Sequence, residues 1–319
     1  AANYEDEKKE LFIANEKNIT LYANYRAISV KTDGNRIESV IIKHIENGKE
    51  VELKAPLFSD CTGDGTIGYL AGADYNMGRE SRAEYGEELA PIQPDKMTMG
   101  SSVQWYSADK GKPTRFPIFS YGLQFNEKNC EKVTMGEWKW ETGMNFNQID
   151  DFERIRDYGL MVIYSNWSFL KNELKDNKKY KNRALDWVAY IAGKRESRRL
   201  LGDYILKQDD IDKNVYHEDA SFVTTWSIDL HFPDSLNASH FPDAPFKLYE
   251  TVSCITEFKN KSGFATYYHM KLLLIFQKYR ESFYGGPQYQ CYPCGTGHCP
   301  RNAYHRNDGR SCRDGSFLM

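Results

Sequence analysis

The chain has 319 residues, 40% hydrophobic and 14% aromatic, with a formal net charge of −3. That length and apolar content can bury a substantial core and predict two domains rather than one. The balanced charge leaves no electrostatic footprint for nucleic acid or anionic lipid, and no apolar run approaches a membrane span.

The first element is a helix over Glu5 to Ala14. Asn18 to Val30, rich in Ile, Tyr, Ala and Val, breaks at Thr32-Asp33-Gly34-Asn35; Arg36 to His44 breaks at Glu46-Asn47-Gly48-Lys49; Glu50 to Leu53 follows. Asp-Gly and Asn-Gly are the strongest hairpin signals, so these three runs predict an antiparallel meander. A strand from Leu57 then delivers Asp60-Cys61-Thr62-Gly63-Asp64-Gly65, which opens a small-residue helix running towards Ala73. Gly63 and Gly65 let the backbone approach a ligand closely, and the first amides of the following helix are unpaired donors suited to a phosphate or hydroxyl. Two-glycine strand-turn-helix units also occur in α/β proteins that hold no nucleotide. A meander feeding such a turn is a more specific order of parts.

From Tyr75 to Phe246 the glycine-punctuated α/β pattern stops. Met97 to Tyr106 and Thr114 to Phe125 read as strands, while Gln148 to Leu174 and Arg183 to Leu206 carry helical periodicity. An inserted domain of antiparallel sheet and helices is the natural assignment, with the Lys-rich stretch Lys171 to Lys181 as a solvated helix end or loop. Alternation places Trp138 and Trp140 on one face of an extended segment, suited to stacking on a sugar or another ring, with Glu141 pointing the other way. Ordinary core packing is the competing reading for each tryptophan of this region.

Lys194-Arg195-Glu196-Ser197-Arg198-Arg199 puts four cations and one carboxylate on a short stretch. On a helix Arg195 shares a face with Arg198 and Arg199. Two readings stand side by side. Planar guanidinium groups anchor an anionic cofactor or substrate, or they form an interface network with Glu196, Asp203 and Asp209. In Ile228-Asp229-Leu230-His231-Phe232-Pro233 an extended backbone puts Asp229 and His231 on one face, where a carboxylate sets the tautomer of an imidazole that then exchanges protons. A satisfied structural histidine is the alternative.

Together, Asp60 to Gly65, Leu70 to Ala73, Gly78 to Arg82, Trp138 to Gly143, Glu153 to Asp157, Lys194 to Arg199 with Gly202-Asp203-Tyr204, and Ile228 to His231 resemble the ordered motifs of a bacterial branch of FAD-dependent oxidoreductases. That branch lies in the glutathione-reductase-like superfamily. The resemblance covers most of Asn18 to about Phe246. It implies an α/β chain, α+β overall: a partial FAD/NAD(P)-binding domain with a β-meander, plus an inserted antiparallel-sheet and helix substrate domain. The implied division is 1–75 for the second half of the FAD-binding domain, 76–250 for the substrate or cap domain, and 251–319 for a remnant of the FAD-binding domain.

The resemblance also implies roles. Thr62, Gly63, Asp64 and Gly65 lie along the FAD nucleotide, a backbone group near Ala27 meets the adenine edge, and Arg79 helps at the same wall. From the residues themselves rather than the resemblance, Trp138, Trp140, Arg195 and Arg198 are the substrate-side candidates, while Asp229 and His231 are the acid-base candidates. The expected reaction is hydride transfer from a small organic, carbohydrate-like substrate to flavin. A non-catalytic glycan-binding module built on the Trp-rich sheet is the alternative class. The dinucleotide fingerprint that should precede the meander is not in the chain, and Ala1 to Lys9 has no apolar leader. The reading is therefore an inactive fragment of a soluble cytoplasmic or periplasmic enzyme.

At the other end, Cys291, Cys294, Cys299 and Cys312 crowd together with His298 and His305 between them. Such spacing suggests a zinc-stabilised module. A one-base shift of codons permitted for Tyr284 to Ser316, however, spells a run with an Ala-Gly-Arg opening like the family's flavin-closing segment. A frameshifted tail beginning between Val252 and Arg280 is the expectation, with its cysteine spacing accidental and no metal bound. Cys61, Cys130 and Cys254 stand apart from one another, as free thiols do.

Overall fold

The computed structural model describes residues 6–136, 140–202, 204–213, 215, 220–224, 228–253, 268–271 and 282–284. Helix α1 (Asp6–Asn15) precedes the meander of β1 (Tyr25–Asp33), β2 (Arg36–His44) and β3 (Glu50–Lys54), paired antiparallel in that order. The turn between β1 and β2 is Gly34-Asn35, with Asp33 opposite Arg36, and Gly34 takes the left-handed φ of +56° that the tight reversal demands. The register slips between Ala27 and Ser29, a bulge that bends β1. Strand β4 (Phe58–Asp60) leads through the glycine turn into α2 (Thr66–Leu70).

Ile37, Val40, Ile42, Leu53, Phe58 and Ile67 form one compact apolar cluster beneath the meander and α2. Ile37, Ile42 and Ile67 are essentially inaccessible, which is worth about 1.5–3 kcal/mol each. This cluster fixes where the turn after β4 sits.

Beyond it come β5 (Tyr75–Asn76), α3 (Arg82–Tyr85), β6 (Trp105–Asp109), α4 (Phe152–Asn172), α5 (Lys178–Lys181), β7 (Arg183–Val188) and β8 (Arg199–Leu200). Then follow α6 (Gln208–Asp212), β9 (Ala220–Thr224), β10 (Ile228–Pro233), α7 (Ser235–His240), β11 (Leu248–Ser253), β12 (Tyr268–Lys271) and β13 (Ser282–Tyr284). Antiparallel pairs form between β5 and β8, β6 and β7, β9 and β12, and β10 and β11, while β13 runs parallel to β4. A second core gathers Trp105, Trp140, Trp167, Val162, Leu170 and Phe246 around α4. Helix α4 buries one face in its first half, through Ile155, Gly159, Val162 and Ile163, and is enclosed on every side from Ser165 to Lys171.

Two expectations about this region fail. Arg183 to Leu206 is not helical: it opens as β7 against β6, and the stretch after it is bridged from Gly193 to Ser102 and from Arg199 to Asn76. The spacing of apolar residues misled here because the partner strand, not local propensity, decides the backbone of a short Leu-Asp-Trp-Val run. Nor is Thr114 to Phe125 a strand. Pro113 and Pro117 remove ladder donors, and the segment is instead strapped onto α4 by Ser168 and Ser165, whose hydroxyls accept from the amides of Phe119 and Leu123. Of Met97 to Tyr106, only the end joins a strand, β6. The zinc, frameshift and Cys254 readings fall on residues outside the described ones, apart from the short strands β11, β12 and β13.

Candidate functional site

The turn after β4 is shaped by two side chains. Asp60 is buried at the strand end, where its Oδ1 accepts from the Thr62 amide (3.0 Å) and hydroxyl (2.6 Å) and its Oδ2 from the Gly68 amide (3.0 Å). Thr62 Oγ1 in turn accepts from the Thr66 amide at 2.8 Å. The Thr62 hydroxyl is thus occupied in holding the turn. Gly63 and Gly65 both take left-handed φ, +79° and +57°, which a side chain would strain. A Cβ on Gly65 would lie 2.7 Å from Leu200, whereas one on Gly63 would meet nothing within 4 Å. Among the described residues no acceptor takes the amides of Gly63, Asp64 or Gly65. The turn therefore packs at Gly65 against β8, and its partly exposed side lies at Gly63 and Asp64.

The segment 194–199 forms the turn's second wall. Lys194 pairs with Asp64 Oδ2, Ser197 donates to Asp64 Oδ1 at 2.6 Å, and Arg198 donates to the Asp64 carbonyl at 3.2 Å. The Arg198 guanidinium also lies 3.7 Å from the centre of the Tyr69 ring, a close cation–π contact. The carboxylate of Asp64 is thus turned into the protein.

Arg195, next in the same segment, donates from Nη1 to Glu141 Oε1. The same oxygen lies 3.1 Å from Nδ1 of His231, and Arg195 Nη1 is 3.5 Å from that nitrogen. Glu141 Oε2 accepts from the Gly100 amide at 3.1 Å. Glu141 and His231 are completely enclosed. Burial alone would push the Glu141 carboxyl up, but Arg195 and His231 together hold it below the ordinary carboxylate range. A third buried knot follows: Arg199 pairs with both Glu80, at 2.7 Å, and Glu196, whose Oε2 also accepts from the Met99 amide at 2.8 Å. With one guanidinium between two buried carboxylates, burial outweighs Arg199 and pushes Glu196 up to about 7.

Among the described residues the cationic segment pairs with Asp64, Glu141, Glu80 and Glu196. Of the carboxylates expected to pair with it, Glu196 takes part, Asp209 pairs with Lys213 instead, and Asp203 lies outside the described residues. Between the Gly193 bridge and β8 the segment has no regular secondary structure, and its side chains part: Arg195 reaches Glu141, while Lys194, Ser197 and Arg198 converge on Asp64. Arg195 and Arg198 thus serve different clusters.

Ala27 packs against the meander core that Ile67 of α2 also fills. Arg79 forks onto Asp95, with Nε 3.0 and 3.1 Å from the two carboxylate oxygens. Trp140 is 6% exposed, with its ring centre 5.7 Å from those of Trp105 and Phe246, so its face is given to the core. Trp138 lies outside the described residues. Asp229 stands two positions before His231 on β10, opposite Val252. The main site residues that sequence reasoning missed are Glu141, Lys194 and Ser197. Each is brought in from a distant stretch by tertiary pairing, so their only signal was membership in the motifs quoted.

The described residues thus hold a glycine turn at the end of a strand in a mixed helix-and-strand chain, tied by one cationic segment to a buried Glu–His pair. The family model for FAD dependent oxidoreductase matches residues 8–251, and the chain belongs to that family. It is an oxidoreductase, with FAD as its cofactor. No curated protein and no solved structure matches the chain. Gly63 and Asp64 lie at the partly exposed edge of the turn, whereas Gly65 is buried against Leu200. No helix among the described residues is long and apolar enough to cross a membrane.

Proposed function

We propose, in place of the inactive fragment expected from the sequence, that the chain binds FAD along the fully formed turn from Thr62 to Gly65 and oxidises a small, hydroxyl-bearing, carbohydrate-like substrate that lies against residues 76–250. FAD, when bound, accepts a hydride. In this reading Asn18 to Asp74 belongs to the cofactor domain of residues 1–75. The inserted sheet-and-helix unit forms the cap, and residues 251–319 rejoin the cofactor domain. Gly63, Asp64 and Gly65 hold the cofactor by backbone amides, Thr62 keeps their geometry, and Ala27 and Arg79 contribute to the same wall. His231, aided by Asp229 from its own strand, takes the hydroxyl proton as the hydride leaves the neighbouring carbon. Arg195 and Arg198 orient the substrate side together with Trp138, while Trp140 supports that side from the core.

One observation carries this reading: a single segment grips Asp64 of the turn with Lys194, Ser197 and Arg198, and reaches the Glu141–His231 pair with Arg195. The test is flavin content and flavin reduction. Purified protein reconstituted with FAD should show a flavin absorbance band, which polyols and sugars bleach anaerobically, and His231→Gln should slow bleaching at least about 100-fold while retaining flavin. Absence of any flavin band, or unchanged bleaching in H231Q, would overturn the assignment. The glycan-binding alternative rests on Tyr106 and Trp187, half-exposed and stacked at 5.8 Å on paired strands. Oligosaccharide binding that Trp187→Ala abolishes, in protein without flavin, would favour it.

A further inference from the structure

Glu141 lies on a short extended run anchored on both sides. Trp140 bridges to Lys247, and Thr142 bridges to Ser101 through reciprocal backbone bonds of 2.9 Å. The Thr142 hydroxyl adds bonds to the carbonyls of Ser101 and Ile155, and the Gln148 amide caps the Gly143 carbonyl. The backbone under Glu141 is thus tied to α4, to residue 101 and to residue 247. Gly100 lets this happen, since a Cβ there would come within 2.8 Å of the Thr142 carbonyl and 2.9 Å of Glu141 Cβ. The Lys247 carbonyl, in turn, accepts from the Asp234 amide just beyond β10, and Leu248 pairs with Pro233. His231 and Glu141 are therefore held by one continuous set of backbone bonds.

A carboxylate has no proton to give when ionised, so Nδ1 is the donor in its 3.1 Å contact with Glu141 Oε1, while Arg195 Nη1, at a longer 3.5 Å from Nδ1, gives its proton to that same oxygen. Gly100 donates to the other oxygen. All the strong contacts of Glu141 thus demand the anion. We infer that Glu141 is a positioning residue: it pins the proton of His231 to Nδ1, fixes the ring plane, and so assigns proton exchange to Nε2. Arg195 holds Glu141 ionised for this purpose and links it to the segment that grips the cofactor turn. The inference deepens the proposed function and rests on its reading of His231 as the acid-base group.

Nitrogen-15 NMR on histidine-labelled full chain tests it, with the His231 signals assigned by their loss in H231Q. In the unaltered protein Nδ1 of His231 should carry hydrogen in at least about nine molecules in ten. A bare Nδ1 with protonated Nε2 would overturn the inference without any variant having to fold. The double replacement E141M/R195M exchanges the buried ion pair for apolar side chains of similar length, a change that buried pairs often tolerate. It should shift the tautomer ratio at least about tenfold away from Nδ1–H, whereas an unchanged ratio would defeat the inference. The flavin-bleaching assay on H231Q is separate. Unchanged bleaching would remove His231 from the chemistry while the tautomer result stood, and an unpinned ring would remove Glu141 while the role of His231 stood.

Discussion

Glutamate 87 offers the sharpest test of how charge is buried in this fold. It is 2% exposed, and its Oε1 accepts from the backbone amide of Gln208 at 2.6 Å. Its Oε2 has no hydrogen-bond partner among the described residues. Burial pushes the carboxyl up from 4.5 to about 7, although the Gln208 amide pulls the other way. The native state therefore binds a proton that the unfolded chain has already released over that interval. Stability from this group is fully present below 4.5 and is lost as pH rises through about 7. At about 1.4 kcal/mol per pH unit, the interval corresponds to roughly 3 kcal/mol.

Replacing Glu87 with glutamine keeps the acceptor for Gln208 and removes the charge. Urea unfolding followed by tryptophan fluorescence should find E87Q within about 1 kcal/mol of the unaltered protein at pH 5, and more stable by about 2–3 kcal/mol at pH 8.5. The difference between the two proteins isolates this group from the nearby Glu80 and Glu196. Parallel stability curves from pH 5 to 8.5 would refute the reasoning. So would an E87Q protein that is less stable at pH 8.5.

Three further outcomes are expected. Lys171 directs its ammonium at Thr114 Oγ1 and at the carbonyls of Tyr180, Lys181 and Arg183, all at 2.8–3.0 Å and none of them charged, so K171M should cost about 2–4 kcal/mol in chemical unfolding. G63A should fold with a loss of about 1 kcal/mol, because only its left-handed backbone is strained. G65A, whose new Cβ would meet Leu200, should lose clearly more, and thermal melts of the two variants side by side would decide it. A double-mutant cycle of D64N and K194M should give a coupling of about 1–2 kcal/mol for this half-enclosed pair, and zero coupling would show that the cationic segment does not grip the turn.

The parts of this molecule that were legible in the sequence are those whose cause is local. Asp-Gly and Asn-Gly punctuation determined the meander, with Gly34 and Gly48 both at positive φ at the predicted reversals. The apolar face of α4 announced itself by spacing, and the Thr62-to-Gly65 turn by its glycines. What lay beyond reach was decided by partners far away in sequence. Arg183 to Val188 is a strand because β6 lies beside it, and Lys194 to Arg198 is kept from a helix because residues 76 and 102 bridge its flanks. That change of backbone redirects the cations, so a stripe of arginines on one imagined helix becomes three separate grips, Arg198 on Asp64, Arg195 on Glu141 and Arg199 on Glu80 and Glu196. Asp60, Glu141 and His231 acquire their roles the same way. A carboxylate or an imidazole says nothing about its function until burial removes water and leaves only the neighbours that tertiary structure supplies.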